Sequence, residues 1–583
     1  MRLLLLKQIP EDADLRRQWN ELVARTAQPQ VFYTYEWALA VQRAYAETLH
    51  PLLFLAYDER DSISGLVALA RTDGEQVSFL CATTGDYCDF ISLPENKQDF
   101  IASVLAELKK QGTGKVVLTN LPDDSDTVPA LRQASSQYGL HYFARTAYVC
   151  AQISLAKLER RPQDNRLVLP RQKMVRRFLK AMGQESPVRL DHARSWEQVE
   201  PALPEFMHAH VARFLATGRI SNLARPERRL FLQELAKLLS DSGWLAFTRL
   251  ISGKNSLAWN YGFQSGDTWF WYQPTFDSDL EKYSPGFCTL SQLIEEAATD
   301  GAFATVDLGL GDEGYKERFA NQTRRTLYVR LGTSAYGHFR ELMRYGLSAA
   351  VRAVPAAERA VRSLHARQMA FRRRVHQMGA RETWTWVAKR VESAVVARDE
   401  VYFYELTNPD PALLKADDVF LKTIDLNTLA TAVLQNSNDE GTLAYLLRCA
   451  DRLRTDAASV GFALTNAAGE LLHFTWAGPF ENFHWSELDS GLPSPAPGSV
   501  ILFDSWTPVS QRGRGHYAPT LARVVARMRQ EGKRSWGFSA STNTPSVRGL
   551  EKAGFPRCFS VLRYRLLWWQ KLVQKNAAEP SKI

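Results

Sequence analysis

The chain opens on a short apolar run, MRLLLLKQIPEDADL, in which four leucines are followed at once by charge. This pattern predicts a first β-strand over Leu3 to Leu6 and is too short for the apolar core of a signal peptide. PLLFLAYDERDSISGLVALAR (51–71) reads as a hairpin with a polar turn at Asp58–Ser64. VSFLCATTGDYCDFISL (77–93) reads as another strand running into a polar loop. DFIASVLAELKKQG (99–112) has helical spacing and a glycine stop, and KVVLTNLP (115–122) reads as a buried strand. The style repeats further on. WEQVEPALPEFMHAHVARFLATG (196–218) reads as one helix ending at Gly218. RRLFLQELAKLLSDSG (228–243) reads as an amphipathic helix with Leu230, Phe231, Leu235, Leu238 and Leu239 on one face. A meander follows, with turns at Ser252–Asn255 and Ser265–Asp267, then a helix over 284–301 entered through Pro285-Gly286. ATVDLGLGDEGYKERF (304–319) reads as a strand ending in a glycine-rich charged loop.

The pattern changes after residue 336. Phe339, Leu342, Met343, Leu347, Val351 and Val354 recur three or four apart, with arginines on the other faces and a break expected at Pro355. Beyond 398 the mixed pattern returns: strand-like VYFYEL and VFLKTIDL, a helical segment from about Asn427 to Arg454, and a hairpin over 459–478 turning at Asn466–Gly469. Strand, glycine loop and helix follow over 499–532. The expected organisation is a first lobe 1–160, a second 161–335, a basic helical arm 336–397, a C-terminal domain 398–575 and a tail 576–583. The fold class is α/β (α+β).

Composition and charge refine this picture. A length of 583 residues, 45% hydrophobic and 23% charged, fits an ordinary globular chain of three or four domains. No stretch of 18 apolar residues exists in the sequence, so no membrane span is expected. The six cysteines form no CxxC pair and keep no histidine cluster near them, which excludes a zinc motif and suits a reducing, cytoplasmic setting. The net charge is +9, and 337–400 holds 13 Arg/Lys against 6 Asp/Glu, so the excess is concentrated in the arm. That arm reads as a solvated face of structural helices, as a surface lying on anionic lipid at the inner face of the membrane, or as a tRNA contact. RYRLLWWQKLVQK (563–575) adds aromatic and basic residues that also suit a membrane surface. Neither region carries an RNA-binding motif, so nucleic acid is not expected as a partner except as an alternative donor.

The most specific motif is Arg512-Gly513-Arg514-Gly515 between a strand and a helix, with His516 and Tyr517 opening the helix. A glycine loop at a helix start aims several backbone N–H groups at one point, where the helix dipole favours a diphosphate. Such a loop alone also serves as a plain turn. Here it is followed by a helix, the strand SWGFSAS, Asn543-Thr-Pro-Ser546 and Ala553-Gly554-Phe555. This order resembles the GNAT N-acetyltransferase family. The resemblance implies that Arg512, Gly513, Arg514, Gly515, His516 and Tyr517, with Asn543 and Ser546, hold acetyl-CoA or another acyl-CoA. Two positions depart from the family. Tyr517 stands where Gly or Ala is usual, and Leu550 stands where a general-acid tyrosine is frequent; a leucine cannot protonate a leaving thiolate. Asp504 and His516 are candidate bases, weighed against a strand-end carboxylate and an exposed helix-start histidine.

The first 335 residues resemble FemAB/CelD-type acyltransferases, which carry two GNAT-like lobes in tandem. The residues concerned are Phe32-Tyr33-Thr34-Tyr35-Glu36-Trp37, Gly85-Asp86-Tyr87-Cys88-Asp89, His210-Val-Ala-Arg213-Phe214, Tyr283-Ser-Pro-Gly286, and Asp307-Leu-Gly309-Leu-Gly311 with Tyr315-Lys316. With the C-terminal domain this makes three GNAT-like mixed-sheet lobes with flanking helices plus a basic helical linker. His210 and Arg213 share a helix face, and a histidine titrates near neutrality, so His210 is a candidate base or a packing histidine. His208 lies on another face and reads as structural. Asp307 is a candidate orienting carboxylate or a loop cap, Tyr315 a proton donor or packing residue, and Lys316 a point charge for phosphate or thiolate. Gly286 opens a helix and reads either as an anion cradle or as punctuation. Asp86 and Asp89 read as groove-lining or unspecific carboxylates, and Trp259, Trp269, Trp271 and Tyr272 as a sugar platform or sheet packing. The resemblance implies acyl transfer to a small-molecule or glycan acceptor linked to the cell envelope or polysaccharide. Aminoacyl-tRNA as donor, and a non-catalytic ligand-binding or scaffold role in a polysaccharide-synthesis complex, remain open.

Overall fold

The computed structural model describes residues 1–72, 76–311, 313–352, 396–415, 418–436, 439–566 and 569–576. They belong to two compact units, one of residues 1–213 and 222–350, the other of 214–221 and 351–583.

One order of elements occurs three times: a strand, a segment of two or three helices, three antiparallel strands, a helix, a strand, a helix or helical turn and a last strand. The first copy runs β1 (Arg2–Leu6), α1 (Ala13–Ala24), α2 (Tyr35–Ala44), β2 (His50–Tyr57), β3 (Ile63–Arg71), β4 (Gln76–Phe79), the two-residue β5 (Ile91–Ser92), α3 (Pro94–Lys110), β6 (Lys115–Pro122), α4 (Thr127–Gln137) and β7 (His141–Ser154). After α5 (Gln172–Met182), the second runs β8 (Val188–Ala193), α6 (Trp196–Val199), α7 (Leu203–Ala216), α8 (Pro226–Ser240), β9 (Leu245–Ser252), β10 (Asn255–Ser265), β11 (Thr268–Phe276), α9 (Pro285–Asp300), β12 (Thr305–Leu310), a 3-10 turn (Lys316–Arg318) and β13 (Gln322–Gly332). Then comes α10 (Ala335–Arg352). The third copy is preceded by β14 (Val396–Leu406) and α11 (Pro411–Leu414). It runs β15 (Val419–Thr423), α12 (Leu426–Gln435), α13 (Glu440–Thr455), β16 (Val460–Asn466), β17 (Leu471–Pro479), the short pair β18 (His484–Trp485) and β19 (Ser490–Gly491), then β20 (Ser499–Trp506), α14 (Tyr517–Gln530), β21 (Arg534–Ala540), α15 (Thr544–Lys552), β22 (Arg557–Leu566) and β23 (Trp569–Asn576).

The first two copies share one sheet of order β1-β2-β3-β4-β6-β13-β7-β12-β11-β10-β9-β8. The last strand of each copy is exchanged: β13 lies against β6 of the first copy, and β7 lies against β12 of the second. β7 and β13 also pair with each other, from Gln322 opposite Gln152 to Gly332 opposite His141. The third copy forms the sheet β15-β16-β17-β20-β21-β14-β22-β23. There β14, which precedes the copy, takes the place between fifth and last strands that β7 takes between β12 and β13.

In every copy the fourth and fifth strands are parallel and pair only where they begin. Gln76–Ser78 meets Lys115–Val117, Thr268–Phe270 meets Thr305–Asp307, and Ser499–Leu502 meets Arg534–Gly537. Beyond these residues the strands part, and the crossover helix starts at that open end. The first two copies are sealed by aromatic side chains at the start of α2. Phe32 packs edge-on to Phe270 at 5.4 Å between ring centres, and Trp37 packs on Phe263 at 5.2 Å and Tyr272 at 5.5 Å. Each such pair adds about 0.5–1.5 kcal/mol beyond the area it buries. The second copy's core gathers Trp269, Trp271, Phe178, Leu290 and Ile294 under α5 and α9.

Several sequence expectations need correction. The helix expected over 196–218 is two, because Pro201 removes an amide at the break between α6 and α7. The helical segment expected over 427–454 is also two helices, with Asn436 ending α12 and the Asp439 side chain capping the start of α13. On α8, Leu230 is 40% exposed while Leu232 is fully buried, so the apolar face is rotated from the expected one. The loop after β4 is buried rather than a polar surface loop, with Cys81, Thr84, Tyr87 and Cys88 inside. β23 reaches Asn576, into the segment read as tail. The helical reading of the arm holds over α10, where Phe339, Leu342 and Met343 are exposed. Pro355 and Arg372 to Arg374 lie outside the described residues. None of the six cysteines is paired.

Because β13 is hydrogen-bonded into both copies, they should unfold together. Leu331→Ala, at a fully buried position on β13, is expected to cost about 2–5 kcal/mol. In hydrogen exchange read by mass spectrometry, peptides from β3 and β10 should lose protection in parallel; loss confined to one copy would contradict the shared sheet.

Candidate functional site

The open end between β11 and β12 holds a cavity of about 310 Å3. Its walls come from the far half of β11 (Trp271, Thr275 and Phe276), from the start of α9 (Ser284, Gly286 and Phe287) and from the turn after β12 (Tyr315 and Arg318). Arg171, Arg213, Pro274 and one carboxylate, Glu281, complete it. Three guanidinium groups therefore face a helix start, a combination that favours an anion. Arg213 donates to the Pro274 carbonyl at 2.9 Å and lies 4.7 Å from the centre of the Phe276 ring. A Cβ on Gly286 would lie 3.2 Å from the Phe276 ring, which would have to shift slightly to admit it.

Tyr315 is the expected catalytic residue that reaches this cavity. Its hydroxyl accepts from Trp271 Nε1 at 3.3 Å, and burial raises its phenol above the ordinary value, so the proton stays on Oη. Lys316 turns away: its ammonium donates to the Leu310 carbonyl at 2.7 Å and pairs with Glu313 at 2.8 Å. His210 is buried on α7, where Gln273 Nε2 donates to its Nε2 at 3.2 Å. Burial, then the charges of Arg213 and Arg228, push it down to about 3, so it is a neutral imidazole at physiological pH. His208 is half-buried.

Asp307 is held across the exchanged sheet. Its Oδ2 accepts from Tyr87 and from Gln152 Nε2, both at 2.8 Å, and its Oδ1 accepts from the Gly309 amide at 2.8 Å. Three donors hold this buried carboxylate in one orientation. Asp86 faces the same spot; a Cβ on Gly309 would lie 2.4 Å from its Oδ2. Burial and the neighbouring Asp307 push Asp86 up to about 7, with Lys316 and Arg228 opposing. Arg228, itself buried, donates to the Tyr272 hydroxyl at 2.6 Å and to Gln273 Oε1 at 3.2 Å. Asp89 accepts from Ser125 Oγ at 2.6 Å and from the Phe90 amide, ordering its own loop. Trp259 and Trp269 are buried in the sheet, so of the expected aromatic platform only Trp271 lines the cavity.

In the other unit, Gly513 and Gly515 adopt φ of +76° and +82°, and a Cβ on either would meet nothing within 4 Å. The Arg512 amide still donates to the Val509 carbonyl. Among the described residues, no protein oxygen accepts from the amides of Gly513 to Tyr517. The Arg512 side chain donates to the Thr507 carbonyl at 3.3 Å, and Arg514 is exposed. His516 contacts Gln511 Oε1 at 3.4 Å, and burial followed by the Arg514 charge lowers it. Tyr517 reaches across to α15, with its hydroxyl 3.4 Å from Ser546 Oγ. It fits because residue 549 is glycine, where a Cβ would come within 2.3 Å of the Tyr517 ring. Asn543 caps α15 by accepting from the Ser546 amide at 3.4 Å. Leu550 is buried in the core under α14.

Asp504 sits at φ +50° on β20. Its carboxylate pairs with Arg452 at 2.6 Å and accepts from the Tyr445 hydroxyl at 3.0 Å. Arg452 in turn lies over Trp476 and Phe503 at 4.8 and 5.0 Å. Both oxygens of this carboxylate are therefore occupied by protein partners. The sequence reading missed His473, which is buried on β17 beside Tyr517, with Nδ1 2.8 Å from Thr507 Oγ1. Burial pushes it down to about 3, and its Nε2 has no partner among the described residues. It also missed Arg171 and Arg318. Nothing in local spacing marks these residues, because only the packing of distant elements brings them to a site.

Comparisons with known proteins bear on the first of these sites. Residues 171–317 match the family described as an acetyltransferase (GNAT) domain, a span that holds the cavity apart from Arg318. A search of curated proteins gave no match. Among solved structures, the chain is similar to FemX at 9% identity and a TM-score of 0.39, over 59% of this chain and 99% of that one. It is similar to a tandem GNAT protein from the clavulanic acid biosynthesis pathway at 11% identity and 0.34, over 56% and 98%. A third is L-PGS from Bacillus licheniformis at 9% and 0.34, over 50% and 91%. At such scores these likenesses carry no argument about the chemistry of this chain. The family match and the cavity coincide, and over residues 171–317 the chain carries a GNAT acetyltransferase domain.

Proposed function

We propose that the protein is an acyl-CoA-dependent N- or O-acyltransferase whose transfer site is the cavity at the start of α9. The observation that carries this is the convergence of Arg171, Arg213 and Arg318 with the α9 N-terminus at a cavity that, Arg318 apart, lies within the span matching the GNAT domain. Such a site suits the diphosphate of a coenzyme A, and the open, unpartnered amides of 513–517 suit a second one. A bound acyl-CoA supplies the acyl group as a thioester and departs as a thiol.

The protein's own part is positional and electrostatic. The arginines and helix start hold the anionic end. Trp271, Phe276 and Phe287 exclude water from the wall. Tyr315 keeps its proton on Oη at the cavity edge, where it can be passed to a developing anion. Asp307 orders the exchanged strands around the site. The acceptor we favour is a small molecule or glycan of the cell envelope or of a polysaccharide. We place the protein in the cytoplasm, with the arm as its contact to the inner membrane face. Among the described residues no helix is long and apolar enough to cross a membrane.

Two measurements test this reading. Calorimetric titration with coenzyme A should show two sites in the wild type and one in Gly515→Glu. Gly515→Ala is the control, since it carries the same positive-φ strain without the charge and should keep both. Unchanged stoichiometry in Gly515→Glu removes the C-terminal loop from cofactor binding. Tyr315→Phe should lower acyl transfer, read as thiol release from acetyl-CoA, by about 100-fold while leaving coenzyme A affinity unchanged. Full activity in that variant would exclude Tyr315 as the proton source.

A further inference from the structure

A second concavity lies on the second copy away from the parted strands. It has a volume of about 380 Å3 and is bounded by the loop 160–169, by α5 and by the C-terminal half of α9. The loop is held by its own hydrogen bonds. The Arg161 amide donates to the Arg166 carbonyl at 2.8 Å, the Asn165 amide to the Arg161 carbonyl at 2.9 Å, and the Val168 amide to the Glu159 carbonyl at 2.8 Å. Gln172 locks it to α5 by donating to the Leu167 carbonyl at 2.6 Å while its oxygen accepts from Arg161. Arg160 ties it to α9 through the Ala298 carbonyl at 3.3 Å.

Four arginines rim this concavity: 160, 161, 166 and 176. Arg166 meets Asp164 only at 3.5 Å, and Arg176 has no acceptor among the described residues. Its floor is apolar, with Leu167, Leu169 and Val175 buried. The α9 wall is polar: Ser291, Glu295 and Thr299 are four residues apart and so stand on one face. Ser291 is 2% exposed, and its hydroxyl has no hydrogen-bond partner among the described residues. A buried hydroxyl left without a partner costs free energy, which a ligand hydroxyl would recover. The size falls in the range of small-molecule sites, about 300–1,000 Å3.

We propose that this concavity is a binding site for a soluble phosphate ester of a polyol, such as a sugar phosphate, separate from the transfer cavity. Arg176 and the exposed Arg166, which keeps a long contact to Asp164, supply guanidinium donors to the phosphate, the leucine floor carries the face of the ring, and Ser291 with Glu295 meets its hydroxyls. Arginine forks suit phosphate oxygens, and a serine hydroxyl with a carboxylate suits a polyol.

The test is calorimetry on the full chain with glucose 1-phosphate, inorganic phosphate and glucose, in the presence of saturating coenzyme A. Glucose 1-phosphate should bind, inorganic phosphate more weakly, and glucose not measurably. Arg166→Ala with Arg176→Ala should weaken glucose 1-phosphate at least tenfold, since both side chains are exposed and the fold should be unaffected. Ser291→Val should remove the preference for glucose 1-phosphate over phosphate while leaving phosphate binding. The proposal is overturned if glucose 1-phosphate does not bind, if saturating coenzyme A abolishes its binding, or if the double variant binds as the wild type does. It is also overturned if the arginines govern only capture of phosphatidylglycerol vesicles and no soluble ester binds.

Discussion

The pairing of β7 with β13 is the constraint on which the larger unit depends. Each strand closes the sheet of the copy it does not belong to, and the two meet along their length at the centre. Neither copy can present a finished sheet edge without the other. The exchange also brings Gln152 opposite Asp307, so a carboxylate of the second copy is anchored by a strand of the first. Tyr87, from the buried loop after β4, completes that anchor. The chemistry near β12 thus rests on residues more than 150 positions away in the chain.

The same element order yields different surfaces in its three uses. The parted parallel strands recur each time, because a crossover helix of fixed hand must start at their open end. What fills the opening differs. In the second copy it is an arginine-rimmed cavity with aromatic walls. In the third it is a glycine loop whose amides find no protein acceptor among the described residues, beside Tyr517, a side chain admitted by Gly549. In the first, α3 begins at Pro94, and the buried Lys97 donates to the Phe90 carbonyl of the preceding loop.

Burial decides which titratable groups remain available. His210 and His473 are both driven to the neutral form by the surrounding core. Asp307 and Asp504 are fixed by donors, the first by an amide, a phenol and a side-chain amide, the second by Arg452 and Tyr445. In the motif 32–37, Thr34 caps α2, the buried Glu36 pairs with the partly exposed Arg16, and Trp37 packs the seam. A sequence motif preserves a side chain's identity without saying whether it faces a ligand or a neighbour.

By itself the sequence determined the local elements. Alternation and turn residues specify the hairpins at 50–71, 245–276 and 460–479, and a glycine run between strand and helix specifies the loop at 512–517, because those signals act between near neighbours. It also specified the mixed α/β class and the recurrence of one motif. Tertiary structure alone decided the exchange of β7 and β13, the inward turn of Lys316, and the gathering of Arg171, Arg213 and Arg318 at one cavity. Those outcomes depend on which distant surfaces bury each other. Such burial is non-directional, so the free energy that selects it leaves no period in the chain.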